Sequence, residues 1–324
     1  MSPIVTIIIL NWNGQNILSA CLESLQRQTF RNFRVIVVDN GSTDGSLDLA
    51  ARVFPTAEIM ALGRNTGFAR GNNIGFAAVD SPYTALLNND TVAHPDWLAS
   101  LVNTLENTPE AGFAACRMLL YDRPDTIDRA GDAYCRSGTA MLRGRGKPAD
   151  AFLQPEWVFG ACAGAALYRT AMLKKIGLFD EDFFLLYEDV DLSFRAQLQG
   201  FPCRYVPEAV VWHHGSQSIG HDSPTSIFYS HRNLEWVYIQ NMPARLIGKS
   251  IALHLLYDLA ALVYFAACGH LAIFLKAKLA ALRGLPDALA KRRRIQARKV
   301  VGDDYLWLLM DREHFLPRLR RRQN

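Results

Sequence analysis

Several things are missing from this 324-residue chain, and each absence excludes a class of protein. It has no CxxC pair: its six cysteines (Cys21, Cys116, Cys135, Cys162, Cys203, Cys268) are scattered, which argues against a zinc cluster or a disulfide framework and fits a reducing compartment. There is no Gly-Lys-Ser/Thr phosphate loop and no GxGxxG dinucleotide fingerprint. Met1-Ser2-Pro3 runs straight into an apolar stretch without a basic segment or cleavage site, so nothing is expected to direct export. Charge is sparse, a fifth of the residues, and half are hydrophobic, so the chain is long and apolar enough for a large core.

The net charge of +4 conceals an asymmetry. Residues 291–324 hold eleven Lys or Arg against four Asp or Glu, a surplus of seven, which leaves the first 290 residues at minus three. The basicity belongs to the tail. That speaks against a nucleic-acid partner for the main domain and for an anionic surface near the C-terminus.

What the sequence does contain is a repeated unit of buried strand, polar loop and helix. Val5–Leu10 is β-branched and apolar on both faces, as in the middle of a parallel sheet, and ends at Asn11-Trp12-Asn13-Gly14. A helix is predicted over Ile17–Gln28 from Leu18, Cys21, Leu22 and Leu25. Phe33–Val38 is a second strand, ending in Asp39-Asn40-Gly41-Ser42-Thr43-Asp44-Gly45-Ser46. Asp39 there suits either a ribose or base contact or an Asx-turn, and Asp44 reads as the N-cap of a helix over Gly45–Val53. A third strand, Ala57–Leu62, precedes Gly63–Gly75, whose glycines and amides could set backbone N–H groups against a diphosphate. Tyr83–Leu87 is a fourth strand, ending in Asn88-Asn89-Asp90: a turn by its residue types, or an oxygen donor for metal or phosphate by its place at a strand end. This alternation predicts an α/β fold.

The strand ending in Asn-Trp-Asn-Gly, Val-Val-Asp-Asn-Gly-Ser-Thr-Asp-Gly-Ser, Asn-Thr-Gly-Phe-Ala-Arg-Gly-Asn-Asn and Leu-Leu-Asn-Asn-Asp-Thr, in this order, resemble the GT-A glycosyltransferases of family 2, in particular the rhamnosyltransferase-like branch. The resemblance runs from about Pro3 to about Asn241. It implies a GT-A fold, with a mixed, mostly parallel sheet and helices on both faces, over residues 1–241; the apolar and basic composition of residues 242–324 adds the expectation of a helical, membrane-associated appendage. It implies that Asp39 holds the base and ribose of a nucleotide-sugar donor, that Asn11, Asn13, Asn65 and Asn72 line that pocket, and that Asn88-Asn89-Asp90 stand where the family has Asp-x-Asp. The first acid of that motif is an amide here. Asp90 is therefore the one charged ligand for Mg²⁺ or Mn²⁺, with Asn88 and Asn89 as neutral neighbours.

Met118–Pro155 reads as a loose, glycine-bearing loop flanking an acceptor cleft, with Arg143, Arg145 and Lys147 in it. Trp157–Tyr168 returns to core, with Trp157 expected as a buried anchor or, less simply, a platform for a sugar. Glu188-Asp189-Val190-Asp191 opens a helix, where acids are favoured by the helix dipole, but where carboxylates behind an apolar segment also suit a general base. The resemblance makes Asp189 that base, Glu188 its support and Asp191 structural. In Val210–Ser216 two adjacent histidines point to opposite faces, and the family's diphosphate- or metal-facing histidine maps to His213. Arg232, in His231-Arg232-Asn233, would by the same likeness meet phosphate.

Ile251–Leu275 is almost continuously apolar and long enough to cross a bilayer, although Asp258 makes a simple span costly. With Lys291–Arg294 and Arg318–Arg322 it suggests helices lying on an anionic leaflet, at the cytoplasmic face of the inner membrane, the alternative being a soluble helical cap with a solvated basic face. The expected function is an inverting transfer of a sugar, by resemblance from dTDP-rhamnose, to a lipid-linked or polysaccharide hydroxyl in cell-envelope glycan synthesis. A sugar-phosphate nucleotidyltransferase would want a basic Gly-rich segment at the first strand, which Leu10–Gly14 lacks. A non-catalytic glycan-binding protein at the membrane is the other alternative.

Overall fold

The computed structural model describes residues 2–215 and 223–312; Ser216 and the basic run Arg318–Arg322 lie outside the described residues. The first half alternates as its pattern predicts: β1 (Val5–Asn11), α1 (Leu18–Gln26), β2 (Phe33–Asp39), α2 (Ser46–Val53), β3 (Glu58–Ala61), α3 (Phe68–Phe76) and β4 (Tyr83–Leu87). β1 lies between β2 and β4 and pairs in parallel with both, and β3 adds in parallel to β2. A parallel strand in mid-sheet needs both faces covered, and alternate residues of β1 serve them. Ile7 and Ile9 pack with Leu18, Leu22 and Trp97 on one side; Ile8 packs with Ala69 and Phe76 of α3 on the other.

Two glycines of the Gly63–Gly75 stretch have a packing task. A Cβ on Gly71 would stand 2.5 Å from Leu10 Cδ1, and one on Gly75 2.8 Å from Ile8 Cγ2, so α3 rests directly on β1 through them.

Beyond β4 the chain continues through β5 (Thr91–Ala93), α4 (Trp97–Asn107), β6 (Phe113–Leu120), β7 (Arg123–Ala130), β8 (Asp132–Tyr134), β9 (Ala140–Leu142), β10 (Glu156–Val158), β11 (Ala165–Arg169), α5 (Thr170–Ile176), α6 (Glu188–Leu198) and β12 (Cys203–His213). β11 runs antiparallel between β4 and β6, and β12 is parallel to β6, giving the order β10-β12-β6-β11-β4-β1-β2-β3, a mixed sheet with helices on both faces. The stretch Met118–Pro155, expected as a loop, is not loop throughout: it holds the end of β6 and all of β7, β8 and β9. β8 and β9 are three residues each, and β7 and β8 bury the charged Asp128 and Asp132, which hides their period.

Among the described residues five helices follow: α7 (Pro224–Asn241), α8 (Ala244–Ala267), α9 (Leu271–Arg283), α10 (Leu285–Ala297) and α11 (Asp303–Leu309). The apolar run Ile251–Leu275 is not one helix. It breaks between Ala267 and Leu271, where Gly269 takes a left-handed φ of 76°. Tyr134, Phe159, Phe183 and Phe194 from the sheet domain share one apolar cluster with Val237, Tyr238, Met242, Leu246, Leu306 and Met310 from the helices.

Candidate active site

The strand ends meet through their side chains. Asn11 and Asp39 are register partners at the ends of β1 and β2. Asp39, 1% exposed, accepts the backbone N–H groups of Gly41 (3.2 Å) and Ser42 (2.9 Å) on Oδ2, while Asn11 Nδ2 donates to its Oδ1 at 3.3 Å and to Ser42 Oγ at 3.2 Å. Asn13, at a left-handed φ of 49°, accepts Thr43 N–H at 2.9 Å and ties the first loop to the second. Asn89 joins from β4, its Nδ2 donating to Asn11 Oδ1 at 2.8 Å. Gly14 is required beneath this contact: a Cβ there would lie 2.3 Å from Asn11 Oδ1 and 2.4 Å from Asn89 Nδ2.

Asp44 is not the helix cap expected of it. Gly45 holds the cap position of α2, and the Asp44 carboxylate instead bonds Gln15 N–H (2.9 Å) and Ser46 N–H (3.1 Å), pinning α2 to the first loop.

Asn40, which no local pattern singles out, is a hub. Its Oδ1 accepts Thr66 N–H at 2.7 Å and its Nδ2 donates to Asn65 Oδ1 at 3.1 Å, so Asn65 is held beside the end of β2. Asn72 is 2% exposed, and its Nδ2 donates to Phe68 O at 2.9 Å within its own helix.

After Asn89 the chain turns as its residue types suggest, with Asn88 O accepting Thr91 N–H (3.2 Å) and Thr91 Oγ1 (2.7 Å). The turn buries Asp90, 6% exposed, and Asp90 Oδ1 has no hydrogen-bond partner among the described residues. Its Oδ2 faces His213 Nε2 at 3.4 Å, and His213 Nδ1 meets Asp128 Oδ2 at 2.8 Å. Burial works against ionisation of Asp128, yet the His213 hydrogen bond and the charges of Arg129 and Arg145 bring it down to about 2. Burial likewise opposes the His213 imidazolium, but its bonds to Asp128 and Asp90 hold it up at about 9. Asp128 lies in β7, inside the stretch expected to be loop.

Asn88 N–H donates to Gly164 O at 2.8 Å, which carries the site across to β11. One residue earlier, Ala163 N–H donates to Asp189 Oδ2 at 3.2 Å. The neighbouring Glu188 is 6% exposed, with Oε2 unpartnered among the described residues; burial, and then the charge of Asp189, raise its pKa well above the usual carboxylate range. Burial thus opposes ionisation of Glu188 in particular. The half-buried Arg129 bonds the buried Asp132 at 3.2 Å, and against burial nearby Cys162, Asp132, Asp189 and Asp128 raise its pKa.

α6 is presented by a strained approach. Phe184, Leu186 and Tyr187 all take left-handed φ values of 64°, 65° and 72°. Asn233 of α7, fully buried, reaches the carbonyls of Phe183 (3.0 Å), Leu185 (2.9 Å) and Leu186 (2.7 Å) through Nδ2. Arg232 donates to Asp182 O (2.7 Å) and Phe183 O (2.9 Å), with its guanidinium 4.2 Å above the Trp236 ring. Arg232 thus sits on the loop that leads to Asp189, bonded to its carbonyls. Phe184 O in turn accepts Phe68 N–H at 2.6 Å, linking this loop to the start of α3.

Trp157 is 42% exposed, with the Arg204 guanidinium 5.0 Å from its ring, and is not the buried anchor expected. Asp90 suits a hard divalent ion: it offers a buried, unpartnered carboxylate oxygen, and such ions keep water and diphosphate oxygens as their other ligands. His213, held between two carboxylates, would have to give up a proton to join it. Elsewhere Glu235, His254 and Asp258 place ligand atoms within 4.8 Å of one another, but the Lys278 ammonium bridges both carboxylates and already supplies the positive charge.

The strand order and the acids at its strand ends define a GT-A glycosyltransferase fold. The sequence pattern described as Glycosyl transferase family 2 matches residues 6–177, and the chain belongs to that family. Its relatives include an N-acetylglucosaminyl-diphospho-decaprenol L-rhamnosyltransferase of Mycobacterium tuberculosis, 27% identical over 266 residues that cover 74% of this chain and 85% of the relative. An O-antigen biosynthesis protein of Myxococcus xanthus is 26% identical over 67% of this chain and 18% of its own length. Among solved structures, a mannosyltransferase of Pyrobaculum calidifontis with GDP-Man and Mn²⁺ aligns with a TM-score of 0.57 at 17% identity, over 92% of this chain and 86% of that one. GalNAc-T7 with UDP, GalNAc and Mn²⁺ aligns at 0.59 and 15% identity over 73% of this chain, which spans about half (47%) of that protein.

Proposed function

We propose that this transferase is inverting, and that it moves rhamnose from dTDP-rhamnose to a hydroxyl of a lipid-linked or polysaccharide acceptor in cell-envelope glycan synthesis. One observation carries the reading: a continuous line of contacts runs from Asp39 through Asn11, Asn89 and the Asn88 backbone to Gly164 and Ala163, and ends on Asp189. It sets a carboxylate suited to ribose, a free Asp90 oxygen suited to the diphosphate side, and an acceptor-side base along one rim of the sheet. Similarity to the decaprenol-linked rhamnosyltransferase supports the choice of sugar and of a membrane-tethered acceptor, worked on at the cytoplasmic face of the inner membrane.

In this mechanism Asp39, Asn11, Asn13 and Asn65 hold the nucleoside. Asp189 takes the proton of the acceptor hydroxyl. That oxygen attacks the anomeric carbon from the face opposite the diphosphate, the carbon–oxygen bond to the diphosphate breaks, and the nucleoside diphosphate leaves with the bonding pair. Asp189 afterwards releases its proton to solvent. Glu188, whose ionisation is opposed by its burial, supports the base from the adjacent position. Mg²⁺ or Mn²⁺, held by Asp90 and the donor, would supply charge to the leaving diphosphate. His213 and Arg129 place fixed positive charge beside Asp90 and Asp189.

Asp189→Asn tests the assignment. Transfer is expected to fall by about three orders of magnitude, within the range removed with a general base and its positioning. Donor binding, read as the rise in melting temperature with dTDP-rhamnose, should persist. Near-normal transfer by this variant would remove Asp189 from the mechanism, and a panel of other nucleotide sugars that stabilise the protein more would replace the donor.

A further inference from the structure

The helical hairpin α8–α9 leaves an apolar face uncovered. Leu255, Leu259 and Val263 follow one another at four-residue steps on α8, and Leu275, Leu279 and Leu282 at similar steps on α9, all of them exposed, Val263 and Leu282 by 63% and 65%. Residues so spaced share one helix face. The opposite faces are occupied: Phe265 of α8 and Phe274 of α9 pack with Ile227 of α7, so both uncovered faces look away from α7. Single exposed leucines need no explanation, but a surface of this extent on two adjacent helices does.

Its charges name the occupant. Between Pro243 and Pro286 the one acidic residue is Asp258, and it is paired to Lys278 at 2.6 Å, whereas Lys249, Lys276 and Arg283 are exposed. We propose that α8–α9 seat this protein on an anionic lipid bilayer, with the six apolar side chains entering the acyl boundary and the three cations at headgroup phosphates. The proposal is independent of the sugar transferred.

The hairpin lies in the plane of the bilayer. At 24 residues, α8 is about 36 Å long, enough to cross. Its inner side, however, is bonded to the protein: His254 to Ser137 O (2.9 Å) and Glu235 (3.1 Å), Ser250 to Tyr238 (2.7 Å), Asp258 to Lys278. A crossing α8 would break these bonds and carry ionisable groups into hydrocarbon.

Flotation of the purified full chain with vesicles tests this. Binding to phosphatidylcholine vesicles containing phosphatidylglycerol is expected, weakening roughly tenfold when the anionic lipid is omitted or salt is raised. Leu259→Glu with Leu279→Glu, at exposed positions where the melting temperature should stay unchanged, is expected to lower binding roughly tenfold or more. A membrane-impermeant maleimide added outside the vesicles should label Cys268, at the α8–α9 turn, with Cys268→Ser as control. No binding to either vesicle, or binding untouched by the double variant, overturns the proposal. Sedimentation showing a dimer that the double variant dissolves, with no vesicle binding, assigns the face to a second copy instead. Cys268 protected until detergent is added would show that α8 crosses.

Discussion

At the scale of single residues, Asn233 is the side chain whose consequences reach furthest from its own position. Non-glycine residues at left-handed φ cost energy, and three in four consecutive positions persist only where the surroundings hold them. Asn233 does so by engaging three carbonyls of that segment, immediately before Glu188 and Asp189. It is a positioning residue. Asn233→Ala is expected to destabilise the fold by about 2 kcal/mol, since the Leu185 and Leu186 carbonyls lose this donor while Phe183 O keeps Arg232. It should also lower kcat about tenfold or more through misplacement of Asp189, with the KM for donor little changed. Denaturant unfolding and steady-state kinetics measure the two. Equal losses in kcat and in donor affinity would mean that the loop supports the whole site and not the base in particular.

Elements differ in how plainly the sequence announces them, and the reason is where each finds its partners. β1, β2 and β4 are buried on both faces, so they read as continuous apolar runs ended by polar residues, and Asn11, Asp39 and Asn89 could be placed together from that alone. β7 and β8 could not. Asp128, Arg129 and Asp132 look like surface charge until their partners are known, and His213 lies 85 residues from Asp128. Asn40 was hidden similarly, as one polar residue among many in a loop, and the break between α8 and α9 because glycine and histidine interrupt the hydropathy only briefly. The α7–α8–α9 junction is equally silent in the sequence, and it predicts a pH dependence. Glu235, against its burial, is held at about 2 by His254 and Lys278; burial would lower the His254 pKa, but Glu235 raises it. The glutamate contribution is present above its unfolded pKa of about 4.5 and fades as pH falls towards 2; the histidine contribution is complete below about 6.5 and is lost as pH rises through its elevated value. As far as Glu235 and His254 decide it, melting temperature should therefore be highest between roughly pH 4.5 and 6.5, and His254→Gln should flatten the alkaline decline.

For the molecule as a whole, the question is whether residues 1–241 form a unit that the helices merely extend. The family match ends at residue 177, and the likeness of sequence motifs stops near Asn241. Packing crosses that line: Met242, Leu246, Leu306 and Met310, all at most 2% exposed, complete the cluster around Tyr134, Phe183 and Phe194, and Arg292 donates to the carbonyls of Ile239 and Met242 at 2.6 Å. Ending the chain after Asn241 removes those four apolar side chains at once. Each buried Leu or Met lost costs about 2–5 kcal/mol, so four together match or exceed the roughly 5–15 kcal/mol by which a domain is stable. The 1–241 fragment is accordingly expected to be insoluble or to bind a hydrophobic dye without a cooperative melt, whereas a chain ending after Arg312 should melt like the full protein and still respond to donor. If the short fragment melts cooperatively and binds donor, the helices are a separable membrane anchor. If it does not, α8 and α11 are part of the catalytic core, and the membrane seat is rigidly joined through α7 to the loop that carries Asp189.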